Sequence, residues 1–209
     1  MGEERRYCMC CGEDVPVTSV ARDGRLELNC LQCGFTLDIA AGAPLSTPVP
    51  APSTTPLSTL RRGVPCIIVV DDGDAQRSVL RGLLERSGLA DEVLALDGGA
   101  AFVSTVAQRF AEGLPVDLVI LDVEMPAMDG FTAARFLRTL EGRLHRTPCP
   151  LIFFTGRKAD DNLRRQMALF RPVYYCAKGV DADQSAFERR AAALIGHVTS
   201  LLQRPAAAG

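Results

Sequence analysis

Ile67-Ile68-Val69-Val70-Asp71-Asp72 and Leu118-Val119-Ile120-Leu121-Asp122 are two short, unbroken apolar runs that each stop at aspartate. A continuous run rich in Val and Ile suits a strand buried on both faces, the pattern of a parallel sheet covered by helices. Carboxylates at the C-terminal ends of such strands stand where open α/β sheets bind their ligands. Three carboxylates drawn together repel one another unless a cation sits among them, and hard oxygen ligands with room for water favour Mg²⁺ over zinc. The competing reading is helix capping. An Asp after a strand often accepts an N–H of the next helix, and Asp72 or Asp74 could do so before residues 75–87.

Outward from these runs the pattern repeats. After Asp122 comes Val123-Glu124-Met125-Pro126-Ala127-Met128-Asp129-Gly130, a turn-rich stretch that opens a helix at about Gly130. Leu151-Ile152-Phe153-Phe154 ends at Thr155-Gly156, and Val173-Tyr174-Tyr175-Cys176-Ala177 ends at Lys178-Gly179. Strand ends thus supply Asp, Asp, Asp, Thr and Lys. Between them, residues 75–87 place Val79, Leu80, Leu83 and Leu84 on one helical face, and residues 100–112 carry Phe102, Val103, Val106 and Phe110. A short strand at 93–96 and helices at 131–140, 160–169 and 186–202 complete the series. Met167 and Phe170 read as core or partner-facing residues. Alternation repeated five times predicts an α/β fold with a five-stranded, doubly wound parallel sheet.

Lys178 is singled out by composition. The chain has 23 Lys plus Arg, of which only Lys158 and Lys178 are lysine. A compact ammonium on a flexible stem suits a confined site where a guanidinium would crowd the acceptor. The alternative is a strand-capping lysine paired with an acidic neighbour. Lys158, in the loop after Thr155, reads as solvated.

The combination Asp-Asp, then Asp-x-x-Met-Pro-x-Met-Asp-Gly, then Thr, then Lys with an aromatic three positions before it, resembles the receiver domain of bacterial two-component response regulators. The resemblance covers about residues 64–202 and implies a flavodoxin-like fold. It implies that Asp122 is the phosphoacceptor, supplied by a histidine kinase, a phosphotransfer protein or a small phosphodonor. It further implies Mg²⁺ held by Asp71, Asp72, Asp122 and the backbone carbonyl of Glu124. Thr155 and Lys178 would bind phosphoryl oxygens, and Tyr175 would be an aromatic switch that turns inward on phosphorylation. The chemistry agrees: attack of a carboxylate on phosphorus needs cations around the transferring group and little covalent help otherwise. Two departures stand out. Gly179 occupies a place where the family usually has Pro, so a loop normally fixed by a cis peptide gains freedom here. Glu124 and Arg157, each two residues past Asp122 and Thr155, sit where the family tunes hydrolysis of the acyl phosphate and are placed to pair.

The first forty residues follow another logic. Cys8-Met9-Cys10-Cys11-Gly12 and Cys30-Leu31-Gln32-Cys33-Gly34 are two Cys-x-x-Cys-Gly knuckles around a strand-turn-strand pattern, with Asp23-Gly24 as the turn. This spacing resembles a zinc ribbon over about residues 7–39. Four thiolates from two tight knuckles can converge on one Zn²⁺, and so short a segment has too small a core to fold without a staple. Cys8, Cys11, Cys30 and Cys33 are the expected ligands and Cys10 the spare. Disulfides are disfavoured by the lack of a signal peptide or transmembrane stretch, and a redox pair fits two copies at this spacing less well. Cys66, Cys149 and Cys176 read as small buried hydrophobes.

Residues 1–40 hold seven acidic side chains against four arginines, and the whole chain carries a formal charge of −2. Such a surface is a poor generic phosphate binder, so nucleic acid is disfavoured and a protein partner expected. The stretch from Ala41 to Pro65 is rich in Pro, Ser, Thr and Ala and reads as an extended tether over 41–64, before a receiver at 65–203 and a disordered tail at 204–209. The expectation is a cytoplasmic signalling protein that is no turnover enzyme. Its output would be a phosphorylation-dependent protein contact through the ribbon or the receiver surface, homodimerisation included. The other classes are a Mg²⁺-dependent phosphohydrolase, which would turn over an external phosphomonoester, and a zinc-ribbon DNA-binding regulator.

Overall fold

The computed structural model describes residues 4–8, 13–22, 25–31, 36–40, 63–157, 160–179 and 184–202. The expected turn at Asp23-Gly24, the ligands Cys11 and Cys33, Cys10, Lys158, the tether up to residue 62 and the tail lie outside them.

The N-terminal residues form four antiparallel strands, β1 (Arg5–Cys8), β2 (Glu13–Arg22), β3 (Arg25–Cys30) and β4 (Thr36–Ala40), in sequential order. The pairing of Arg22 opposite Arg25 leaves two residues to connect β2 to β3, as a tight hairpin requires. Cys8 ends β1 and Cys30 ends β3, and both are buried.

The remaining residues alternate strand and helix. In chain order these are β5 (Val64–Val70), α1 (Asp74–Ser87), β6 (Ala90–Leu96), α2 (Gly99–Ala111), β7 (Leu118–Leu121), α3 (Gly130–Arg143), β8 (Leu151–Thr155), α4 (Asp161–Met167), β9 (Val173–Ala177) and α5 (Gln184–Leu202). The five strands pair in parallel in the order β6-β5-β7-β8-β9. Every residue of β7 and β8 is buried, which is why their sequences run apolar without alternation. Helix α1 packs beside α5, and α2 beside α3. Phe131, Phe153 and Phe170 meet with ring centroids 5.0 to 6.0 Å apart and tie α3, β8 and the turn after α4 into one core.

Several boundaries differ from the sequence reading. Strand β6 starts three residues before Val93 because it pairs with the whole of β5, including Val64 opposite Ala90. Val64, the last residue of the expected tether, already opens β5, and Pro65 follows it near the strand start, where a missing donor is tolerated. The helix expected at 160–169 tightens into a 3-10 turn at Ala168–Phe170, which brings Phe170 into the aromatic core before Pro172. Neither Asp72 nor Asp74 caps α1. Gly73 holds the N-cap position and makes no side-chain bond, and Asp74 is already inside the first turn. Asp129, by contrast, is a working cap, its Oδ1 accepting the Thr132 N–H at 2.7 Å.

Candidate functional site

Register brings the carboxylates together. Val70 lies opposite Leu121 in the parallel pair β5–β7, so the next residues, Asp71 and Asp122, emerge side by side. The ladder continues one step into each: Asp71 N–H donates to Leu96 O at 3.1 Å, and Asp122 N–H to Val70 O at 2.9 Å. Both side chains are buried, whereas Asp72 is exposed at the rim. Oxygens of Asp71, Asp72 and Asp122 lie within 4.8 Å of one another. Across the next two strands, Thr155 opposes Ala177, and Lys178 follows with its N–H donating to Thr155 O at 2.8 Å.

Each buried carboxylate has one oxygen held by a backbone N–H and one facing Lys178. Asp71 Oδ1 accepts from Gly73 at 3.0 Å, and Asp122 Oδ1 accepts from Glu124 at 3.2 Å. Lys178 Nζ bridges the two remaining oxygens, 2.6 Å from Asp71 Oδ2 and in direct contact with Asp122 Oδ2. Burial pushes the Asp71 carboxyl above its usual range, against the pull of Lys178 and the Gly73 N–H, and the nearby Asp122 adds to the rise. The ammonium therefore supplies the positive charge that two adjacent buried carboxylates require. The donor set fits a hard divalent cation: three carboxylates converge with no nitrogen or sulfur among them, and exposed Asp72 leaves one side open for water.

Thr155 is fully buried, its Oγ1 accepting the Arg157 N–H at 3.3 Å. Tyr175 is buried too, its hydroxyl donating to Arg157 O at 2.8 Å, so the ring points inward. Glu124 and Arg157 form no ion pair, unlike the pairing their positions suggested; among the described residues the Arg157 backbone is engaged instead by Thr155 and Tyr175.

Two arginines belong to the site that sequence reasoning passed over. Arg77 Nη1 donates to Asp71 O at 2.7 Å while its other nitrogen pairs with Asp74, bracing the turn that carries Asp71 and Asp72. Arg190 Nη1, from α5, donates to Lys178 O at 3.1 Å. A chain with twenty-one arginines gives no sequence signal for these two. Gly179 adopts φ +83, a conformation that glycine takes freely, and lies against the Arg190 guanidinium; the one cis peptide among the described residues is Arg171–Pro172.

Comparison with known proteins agrees with this geometry. The model of the response regulator receiver domain family matches residues 67–185. The sensor histidine kinase GacS of Pseudomonas protegens is 37% identical over 131 residues, covering 63% of this chain and 13% of the kinase. The transcriptional regulatory protein AruR of Pseudomonas aeruginosa is 33% identical over 106 residues, covering 51% of this chain and 39% of that protein. Among solved structures, the receiver domain of the Arabidopsis thaliana histidine kinase CKI1, complexed with Mg²⁺ and BeF₃⁻, superposes with a TM-score of 0.51 at 26% identity, covering 66% of this chain and 92% of that one. This chain belongs to the response regulator receiver domain family of two-component systems. Members of that family are phosphoacceptors rather than turnover enzymes. The match spans only about an eighth of the GacS kinase and well under half of AruR. The zinc-ribbon residues fall outside the family match. Among the described residues, no helix is long and apolar enough to cross a membrane.

Proposed function

We propose that this protein is a response regulator that accepts a phosphoryl group on Asp122 in a Mg²⁺-dependent reaction and signals through a phosphorylation-dependent protein contact. The observation that carries the reading is the bridge of Lys178 between Asp71 and Asp122 at the end of a buried parallel sheet. Asp122 presents one oxygen toward that ammonium while Glu124 N–H fixes the other. Attack of Asp122 on phosphorus forms a new P–O bond to its carboxylate as the P–N bond of a donor phosphohistidine, or the P–O bond of a small phosphodonor, breaks, and the leaving group departs with the electron pair. Mg²⁺, held by Asp71, Asp72, Asp122 and the Glu124 carbonyl, would neutralise charge on the transferring group. Lys178 would then exchange its carboxylate contacts for a phosphoryl oxygen, and Thr155 would hold another. A histidine kinase or phosphotransfer protein is the expected donor, and a cytoplasmic setting follows from such a donor.

The inward Tyr175, bonded to the Arg157 carbonyl, is the arrangement whose population phosphorylation would raise. The contact it controls lies on the surface around α4, β9 and α5, open to a protein partner or to a second copy of the chain. For the N-terminal strands we retain a Cys8, Cys11, Cys30 and Cys33 zinc ribbon that binds protein. The burial of Cys8 and Cys30 at the ends of β1 and β3 supports it, because each knuckle then starts where a strand stops. One equivalent of zinc by metal analysis, lost in a Cys8→Ser/Cys30→Ser variant, is its expected sign.

The deciding experiment is intact-mass spectrometry after incubation with Mg²⁺ and acetyl phosphate, beside Asp122→Asn. A single phosphoryl adduct absent from the variant supports the reading. No adduct under donor excess overturns it, and repeated turnover of a phosphomonoester would point to a phosphohydrolase.

A further inference from the structure

The main chain of Lys178 is held from both sides. Its N–H donates to Thr155 O at 2.8 Å, and its carbonyl accepts from Arg190 Nη1 at 3.1 Å. Immediately beyond, the chain passes through Gly179 at φ +83, and a Cβ built on that residue would lie 1.7 Å from Arg190 Nη1 and 2.2 Å from Cζ. The guanidinium thus occupies the volume a side chain at 179 would need, and the positive φ at 179 favours glycine in its own right. On the other side, Gly179 O lies 3.3 Å from where a Cβ on Gly156 would stand, so the loops after β8 and β9 close on each other through two glycines. Arg190 itself comes from the packed part of α5, beside fully buried Ala191 and one turn after buried Phe187.

An ammonium on four methylenes is placed only as well as its backbone. Lys178 must reach two carboxylates at once, yet the residue after it is the most flexible in the repertoire. We infer that Arg190 is a positioning residue for Lys178: by fixing the Lys178 carbonyl from α5, it keeps Nζ aimed at Asp71 and Asp122 and couples α5 to the charge state of the acidic pocket. The inference rests on the reading of Asp122 as phosphoacceptor, though its structural half stands without it. A lysine at 190 keeps a donor but loses the planar fork that lies against Gly179, so Arg190→Lys retains part of the effect.

The chain contains only two lysines, so ¹⁵N-lysine labelling gives two backbone amide signals, of which Lys178→Arg identifies one. In the full chain, Arg190→Ala is expected to shift the Lys178 amide signal and to speed its hydrogen exchange about tenfold. It should also slow phosphorylation by saturating acetyl phosphate about tenfold, short of the roughly hundredfold loss that misplacing a reacting group by about 1 Å can cause, because Lys178 keeps its own backbone bond to Thr155. Far-UV circular dichroism should stay unchanged, and Arg190→Lys should recover part of both effects. An unmoved Lys178 signal, or a moved one with phosphorylation at the unaltered rate, overturns the inference. Failure of the unaltered chain to take up phosphate overturns the Asp122 reading instead, and the amide signal then decides the Arg190 contact by itself.

Discussion

Gly130, the first residue of α3, packs so tightly on Asp122 that a Cβ there would stand 2.1 Å from the Asp122 carbonyl oxygen. The obstacle is backbone on both sides, since Gly130 N–H also donates to Val123 O at 2.9 Å. Gly130→Ala therefore has to push α3 away from the loop carrying Asp122. Overpacking of this kind costs about 1–3 kcal/mol. Urea unfolding should show that loss, together with slower phosphorylation. An unchanged midpoint would mean that the helix start yields freely.

Cations should stabilise the folded chain through the pocket. Asp71, Asp72 and Asp122 converge, and two of them are buried against a single ammonium. Mg²⁺ at a hundredfold its dissociation constant should add about 2.7 kcal/mol by mass action. A rise in the melting temperature with Mg²⁺, lost in Asp72→Asn, is the expected outcome. Asp72 is the suitable probe because it is exposed and its removal leaves the core intact.

A second charged cluster tests the opposite end of the sheet. Arg138 pairs with Glu141 at 2.7 Å and donates to the carbonyls of Cys149, Phe170 and Pro172, while Glu141 Oε1 accepts the Cys149 N–H at 2.9 Å. Arg138→Met would strand the buried Glu141 carboxylate and should destabilise by about 3–5 kcal/mol. Adding Glu141→Leu should recover part of that, because the uncompensated charge goes with it. A double variant as unstable as the sum of the two singles would argue that the hydrogen bonds to the loop before β9 matter more than the charge.

The buried thiols set an alkaline limit. Burial pushes Cys66 from 9.0 up to about 11 and Cys149 from 9.0 up to about 12. A thiol raised on folding stays neutral in the folded chain while the unfolded chain ionises. Its contribution is therefore fully present below pH 9 and is lost as pH rises from there through the folded values. Stability should fall above pH 9, and less steeply in Cys149→Ala. Peptide mapping after iodoacetamide treatment at pH 8 should find Cys66 and Cys149 unmodified until denaturant is added.

Much of this protein is legible in its sequence, because the receiver's requirements are local. Strands such as Leu118–Leu121 and Leu151–Thr155 must be apolar throughout when both faces are covered, and each announces itself without any partner. Asp71, Asp122, Thr155 and Lys178 could be read as one set since strand ends in a parallel sheet all point to one edge. The rarity of lysine marked Lys178 before its partners were known. The competing capping reading fails for a local reason as well: the Asp71 side chain takes the Gly73 N–H, and the helix begins without a side-chain cap.

What tertiary structure alone decided is how those groups are held. Order β6-β5-β7-β8-β9 sets Asp71 beside Asp122, and that order depends on which strands find each other across long connections. The inward Tyr175, whose hydroxyl meets the backbone of Arg157 eighteen residues away, follows from the approach of the β8 and β9 loops. Arg190 is the clearest case. Nothing in a chain rich in arginine distinguishes it, and it acquires a role only because α5 folds back to place a guanidinium against Gly179, where the absence of a side chain leaves room for it. Sequence determined which chemistries stand at the strand ends, since residue type and apolar period are local properties. Packing decided which backbone atoms orient them, since those contacts join segments that only the completed fold brings together.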